Sequence, residues 1–368
     1  MKRNKILAAG PSITNLEIKT VNKMMRSGWE DYSYVEKFER KFSKFHNRKF
    51  GLMTPSCTLA IHLILKTLKI GNGDEVIVPV TTWTATIAPV IEVGAKPVFI
   101  DVKVDDWCID EKLVEKKINK KTKAIIVVDL YGNMPKINKL LKIAKKYKIF
   151  LIEDAAEALG SKFNNIRAGK FGIASVHSFH RTKTITSGEG GFLLIDDRKF
   201  YKRAKFLRDL GRSKIEPYIA NEISLKYMPS NFQASLAFSQ FKRINKLLMI
   251  KKKIFNLYKY YLNKYEIECK MNVDKKPTVN GYWATTIVLN KKYKTNIKKI
   301  QNQMMTKGVP IRRFFAPLTS QKGYFNFKKK EKFVVAENLY KQGITLPSHY
   351  NLTEKQIKFV CYNLSKIL

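Results

Sequence analysis

From about residue 50 to about residue 200 the chain alternates short apolar, β-branched runs with stretches of helical periodicity, and this rhythm limits its fold more than any other feature. Residues 75–79, 97–101, 124–129, 149–154, 175–179 and 191–195 read as strands. Most are almost continuously apolar, as strands covered on both faces must be. Between them, residues 59–68 and 136–146 carry helical spacing. Strands joined through helices make parallel crossovers, so the expected architecture is α/β with a mostly parallel central sheet. Helical spacing then runs from Asn231 past Leu248 towards Leu262, which predicts one long, bent helix leading out of this domain. Beyond it, a strand candidate at 282–289 alternates with helical stretches, the pattern of a smaller α+β domain. A length of 368 residues suits two domains. The expected division is a large domain over 1–245 and a small C-terminal domain over 246–368.

Charge narrows the function classes. Lys and Arg number 70 against 30 Asp and Glu, a formal net charge of +40. A basic face could neutralise nucleic-acid phosphates. Here the lysines are spread along the whole chain, as at Lys136, Lys139 and Lys142 or at Lys329 and Lys330, mainly on the polar faces of predicted helices. The abundance of Ile and Asn beside them points to compositional bias. The expectation is a solvated cationic surface with no nucleic-acid partner, whose field steers an anionic substrate. No apolar run reaches the ~18 residues of a membrane span. The apolar stretch near Met1 is too short for a signal peptide, so a cytoplasmic location is expected. Cys57, Cys108, Cys269 and Cys361 form no CxxC pair and no Cys/His cluster of zinc spacing; free thiols and no metal are expected.

Four features carry chemistry. Lys183 lies in Thr182-Lys183-Thr184-Ile185-Thr186-Ser187-Gly188, between a strand and a glycine-rich turn, where α/β proteins build their sites. An amine held there among hydroxyls and glycines can form a Schiff base once desolvation favours its neutral form. By position alone Lys183 is also one more surface lysine. Asp154 ends an apolar strand and precedes Ala155 and Ala156, so its carboxylate faces a crevice or caps a helix. Pro55-Ser56-Cys57-Thr58 opens a helical run, offering amide donors for a phosphate or an ordinary cap. Ser178 at a strand end is a second phosphate candidate. Trp83, after another strand end, is a ring to stack on a flat cofactor or a core aromatic. Taken together, the order is phosphate turn, stacking aromatic, strand-end Asp, then Lys in a Ser/Gly-rich loop.

At these residues the sequence resembles the DegT/StrS family of sugar aminotransferases. Glu153-Asp154-Ala155-Ala156-Glu157-Ala158-Leu159-Gly160-Ser161 and the run from Ser178-Phe179-His180 through Lys183 to Gly191 carry the resemblance most strongly, with support from residues 71–79, 94–101, 227–234, 312–317 and 343–348. The resemblance implies fold type I of the pyridoxal-phosphate (PLP) enzymes, the aspartate-aminotransferase type. It implies that Lys183 binds PLP covalently and shuttles the proton. Asp154 would pair with the pyridine nitrogen and Glu157 would lie near the phenolic oxygen. Trp83 would stack on the ring, and Cys57, Thr58 and Ser178 would hold the phosphate. Asn231 would reach the phosphate of a neighbouring subunit's cofactor, making the enzyme a homodimer with shared sites. His180 and Arg312 are candidate contacts to the sugar nucleotide, with Arg313 an equal candidate by composition. The implied reaction passes an amino group from L-glutamate to a nucleotide-linked 4-keto-6-deoxyhexose, as in perosamine synthesis. Alternatives are amination at C3 of a 3-keto sugar, or a non-catalytic PLP-binding regulator. A family branch that dehydrates sugars has His in place of the lysine, and Lys183 argues against it.

Overall fold

Residues 124–128 are buried without exception, so the strand they form lies inside a sheet covered on both sides. The structure is a computed structural model that describes residues 5–29, 31–213, 215–216, 218–293, 296–327 and 331–368. Lys329 and Lys330, read from sequence as part of a solvated surface, lie outside the described residues. In chain order come β1 (Phe50–Thr54), β2 (Glu75–Pro79), β3 (Lys96–Ile100), β4 (Thr122–Val128) and β5 (Phe150–Asp154). A short hairpin, β6 (Lys162–Phe163) and β7 (Ile166–Arg167), precedes β8 (Ala174–Ser178) and β9 (Gly191–Ile195). The main sheet has the order β1-β9-β8-β5-β4-β2-β3. From β8 through β3 all pairings are parallel. β9 alone runs against its neighbours, β1 and β8.

Each interior strand sends alternate side chains to opposite faces. On one face Val78, Ile126 and Ile152 meet Ala60, Ile61 and Ile64 of helix Cys57–Thr67 and Leu207 of helix Arg198–Arg208. On the other, Ile77, Ile125 and Leu151 meet Leu140 and Ala144 of helix Ile137–Tyr147. A third cluster is aromatic: Phe38 and Phe42 of helix Ser33–Phe45 pack on Phe179 and Phe192 at the β8–β9 side. Full burial of such side chains is worth about 1.5–3 kcal/mol each, and here it fixes the sheet beneath the ends of its strands.

A second sheet, antiparallel, is formed by β10 (Cys269–Met271), β12 (Thr286–Leu289), β13 (Arg312–Arg313) and β14 (Gly343–Thr345), in the order β10-β12-β14-β13. β11 (Thr278–Val279) crosses over to pair with β6. Helix Ile244–Lys264 contributes to two clusters. Its Ile244 and Leu247 join the aromatic cluster, while Ile254, Tyr258 and Leu262 join the cluster beside the second sheet. No helix among the described residues is long and apolar enough to cross a membrane.

Two sequence expectations change. The long helix from Asn231 is two helices, Asn231–Phe241 and Ile244–Lys264. Arg243 leaves helical geometry at the break, and its guanidinium grips Glu17 at 2.8 Å and the Ser12 carbonyl at 2.7 Å. The strand expected over 282–289 begins only at Thr286. Ahead of it Tyr282 takes a positive φ of 53°. The chain there is held by Asn280 Oδ1 accepting from the Tyr282 amide and Ser161 Oγ accepting from the Gly281 amide, not by a ladder. That departure turns Trp283 and Ala284 towards the cavity described next.

Candidate active site

Asp154 is the last residue of β5 and Ser178 the last of β8, so both side chains stand at the carboxyl edge of the sheet. The edge opens on a cavity of about 780 Å³ that is lined also by Trp283, Arg312, Phe315, Tyr340 and Leu346 from the C-terminal part of the chain. Cys57, Thr58, Trp83, Asp154, Glu157, Ser178, His180, Lys183 and Arg312, all singled out from sequence, line this one cavity, and Arg313 lines it too. Asn231 does not. Its amide accepts from the Tyr34 N–H at 2.9 Å and donates to the Gly28 carbonyl at 2.8 Å and to Asp31 at 3.0 Å, so within one chain it belongs to a different surface.

Asp154 is almost fully buried. Burial pushes its carboxyl up, opposed by the Thr86 hydroxyl, the Ala156 amide and the charge of Lys183. Thr86 Oγ1 donates to Oδ2 at 2.8 Å and the Ala156 N–H to Oδ1 at 3.1 Å. Thr82 Oγ1 lies 2.9 Å behind Thr86 Oγ1. No helix follows Asp154, only a turn, so the helix-cap reading does not hold.

Lys183 stands in the loop between β8 and β9, where its Nζ is 3.2 Å from Glu157 Oε1. Glu157 is pushed up by burial and held back by Lys183 and by the Tyr131 amide, which donates to Oε2 at 3.0 Å. The lysine is thus no surface lysine: its side chain keeps 13% of its free exposure and carries a carboxylate partner.

The helix Cys57–Thr67 points its start at the cavity. Ser56 is its N-cap, accepting from the Leu59 amide at 3.2 Å. The amides of Cys57 and Thr58 belong to the first turn, which has no intrahelical acceptor for them. Gly191 leans on this corner. A Cβ there would fall 2.3 Å from Ser56 O and 2.4 Å from Cys57 N, so only glycine lets β9 approach the helix start. The Cys57 thiol is driven well up by burial and by Asp154.

Trp83 is 60% exposed at the mouth, 5.9 Å from the Phe315 ring, and is not a core aromatic. His180 Nδ1 lies 3.0 Å from Thr182 Oγ1 and its Nε2 3.5 Å from Glu189, and burial draws its pKa down. Arg312 is exposed to the cavity, while Arg313 lies over the Tyr340 ring at 4.1 Å. Sequence reasoning missed Thr86, Tyr131, Trp283 and Phe315. The Tyr131 ring is parallel to Phe315 at 5.2 Å and to Trp283 at 6.1 Å, forming one wall. The left-handed φ of 52° at Tyr131, unusual for a residue with a bulky side chain, was the kind of signal only coordinates supply.

PLP asks for an anion cradle, an acid partner for a ring nitrogen, and an amine. The cavity offers each on a different element: the glycine-backed helix start, buried Asp154 and Lys183. Positive helix-terminal amides suit a phosphate, and a carboxylate buried opposite an amine suits a protonated pyridine. The residues therefore fit the group.

Known proteins place the chain in a family. The model of the DegT/DnrJ/EryC1/StrS aminotransferase family matches residues 11–365. GDP-perosamine synthase of Escherichia coli O157:H7 is 31% identical over 358 residues, covering 97% of this chain and 96% of its own. The GDP-perosamine synthase of Vibrio cholerae is 30% identical over 353 residues, 95% and 96% of the two chains. Among solved structures, Helicobacter pylori PseC, an aminotransferase of pseudoaminic acid biosynthesis, superposes with a TM-score of 0.91 at 25% identity, over 99% of both chains. The chain is a pyridoxal-phosphate-dependent aminotransferase of the DegT/DnrJ/EryC1/StrS family.

Proposed function

We propose that the enzyme moves an amino group from L-glutamate to the C4 keto carbon of a nucleoside-diphosphate 4-keto-6-deoxyhexose, the reaction type of GDP-perosamine synthesis. Near-full-length similarity to GDP-perosamine synthases supports the acceptor class. The observation that carries the site reading is Lys183 beside two buried carboxylates, Glu157 and Asp154, in one cavity.

In this reading PLP, when bound, withdraws electrons from the carbon that loses its proton. The chain's own residues do the rest. Lys183 holds the cofactor covalently, then, once released, takes the proton at Nζ and returns it on the acceptor side. Glu157 keeps that Nζ in reach. Asp154 holds the pyridine nitrogen protonated. Cys57, Thr58 and Ser178 hold the phosphate, and Trp83 covers the ring. Arg312, Arg313 and His180 face the acceptor's diphosphate and sugar.

The working form in this reading is a homodimer. Ile215, Tyr218 and Ile223 are exposed by 91%, 101% and 93%, an apolar loop that a second copy would cover. Asn231, outside its own chain's cavity, would serve the partner's site. Four free cysteines suit the reducing cytoplasm, where we place the reaction.

The test gives purified enzyme L-glutamate with a 4-keto or a 3-keto nucleotide sugar and follows the aminated product by mass. Product from the 4-keto sugar alone is expected, and none with Lys183→Ala. Product from the 3-keto sugar alone would move the reaction to C3.

A further inference from the structure

In the proposed reaction Lys183 would be released from the cofactor in the first half-reaction and would rebind it only at the end of the second, so something has to keep its backbone in place while the side chain swings. The loop around it is gripped from the small domain. Trp283 Nε1–H donates to the Thr182 carbonyl at 2.8 Å. Tyr350 O–H donates to the Thr184 carbonyl at 2.5 Å. The two donors thus take the carbonyls on either side of Lys183. Trp283 also lies beneath the lysine itself, with Nζ 4.0 Å from the ring centroid. Both aromatics are nearly buried, at 7% and 6% exposure. Each is braced: the Trp283 ring is within 8° of parallel to Tyr131, and Tyr350 packs under Lys251 Nζ at 4.5 Å.

We propose that Trp283 and Tyr350 form a clamp by which the small domain positions the Lys183 loop, with the Trp283 face as the resting place of the released lysine. The residues are positioning residues, since neither donates to the reacting atoms. An indole face attracts an ammonium, and together with Glu157 it gives Nζ two fixed neighbours from different domains. The clamp explains why the chain breaks from the strand expected at 282–285: a ladder there would turn Trp283 away from the loop. It also links the wall that bears Arg312 to the lysine, so that an acceptor held by the small domain and the lysine serving it share one frame. The proposal rests on Lys183 being the cofactor lysine.

The test compares wild type, Trp283→Phe and Tyr350→Phe, all loaded with PLP. Hydrogen exchange is read by mass spectrometry over residues 180–186, alongside kcat and KM for the glutamate half-reaction. Loss of one hydrogen bond to a loop carbonyl should speed local exchange by about tenfold. The strands of the main sheet should keep their protection, and kcat should fall by about tenfold with KM for glutamate little changed. Tyr350→Phe deletes one oxygen, so the comparison survives even if Trp283→Phe folds poorly. Unchanged exchange over 180–186 in a folded Tyr350→Phe protein overturns the clamp. So does acceleration spread evenly over the chain, which would make these residues general packing. Borohydride reduction of wild type separates the two readings. If it leaves no cofactor mass on the Lys183 peptide, the lysine assignment fails first. If it does and the variants behave as wild type, the clamp alone fails.

Discussion

In the proposed reaction Asp154 has to stay ionised in a place that disfavours charge. Burial raises its pKa, and the Thr86 hydroxyl is the first of the groups that pull it back. Thr86→Val removes that donor and keeps the shape. A hydrogen bond to a charged group is worth about 1.5–3 kcal/mol, or roughly one to two pH units. Because the carboxylate form is the working one, the acid limb of kcat/KM for glutamate should move to higher pH by about that much. Thr86→Ser should bring it back, and an unmoved limb would mean that Asp154 is held by Ala156 and Lys183 alone. Thr86 also marks what sequence could and could not tell. Asp154 and Lys183 were legible only together, from the order of the features and the resemblance they carry, since by position alone Lys183 read equally as a surface lysine and Asp154 as a helix cap. Thr86 and Trp283 were not, because a threonine in a Thr-rich turn or a tryptophan in an apolar run acquires its role only from what tertiary packing brings beside it.

At the level of elements, the helix start at Cys57 and strand β9 approach until only a glycine fits between them. Gly191→Ala would press a methyl group into the Ser56–Cys57 peptide. Overpacking of this kind costs about 1–3 kcal/mol, and the displaced amides should weaken PLP binding by tenfold or more. Denaturant unfolding and a cofactor titration would check both. β8 offers a second experiment. His177 is buried beside His46, with ring centroids 4.4 Å apart, and burial followed by the charge of Arg48 brings the His177 pKa down to about 3. Unfolded, it titrates near 6.5. Its neutral form therefore contributes stability that is complete above about pH 6.5 and drains away as pH falls towards about 3. His177→Gln should flatten the loss of unfolding free energy across that window by up to about 1.4 kcal/mol per pH unit. The parallel strands β2 to β5 were readable because double burial makes their sequences mostly apolar. β1 went unread because Gly51 interrupts it, and the reason for that glycine is remote: a Cβ would sit 2.4 Å from the Phe192 ring across the sheet. The break at Arg243 was equally hidden, since its cause is Glu17, more than two hundred residues earlier.

For the whole molecule, the proposed dimer would set a net charge of +40, which repels copies, against the exposed Ile215, Tyr218 and Ile223, which a second copy would cover. Ile215→Asp combined with Ile223→Asp should shift sedimentation from dimer to monomer at micromolar protein. Activity should fall with it, because Asn231 would lose the partner's cofactor. A monomeric wild type that is fully active would remove the shared-site reading and leave the single-chain cavity intact. The α/β class could be read from periodicity, but the pairing of β11 with β6 could not, since it leaves no mark in either short run.

The helix Ile244–Lys264 is planted at one end among the aromatics beside β8 and β9 and at the other in the cluster beside the second sheet. A rod seated in two sockets cannot be pulled from one without loosening the other. On heating, the two halves should therefore melt together, giving one calorimetric peak whose van't Hoff and calorimetric enthalpies agree once subunit dissociation is included. Two separated peaks would show that the rod bends more easily than its seating implies.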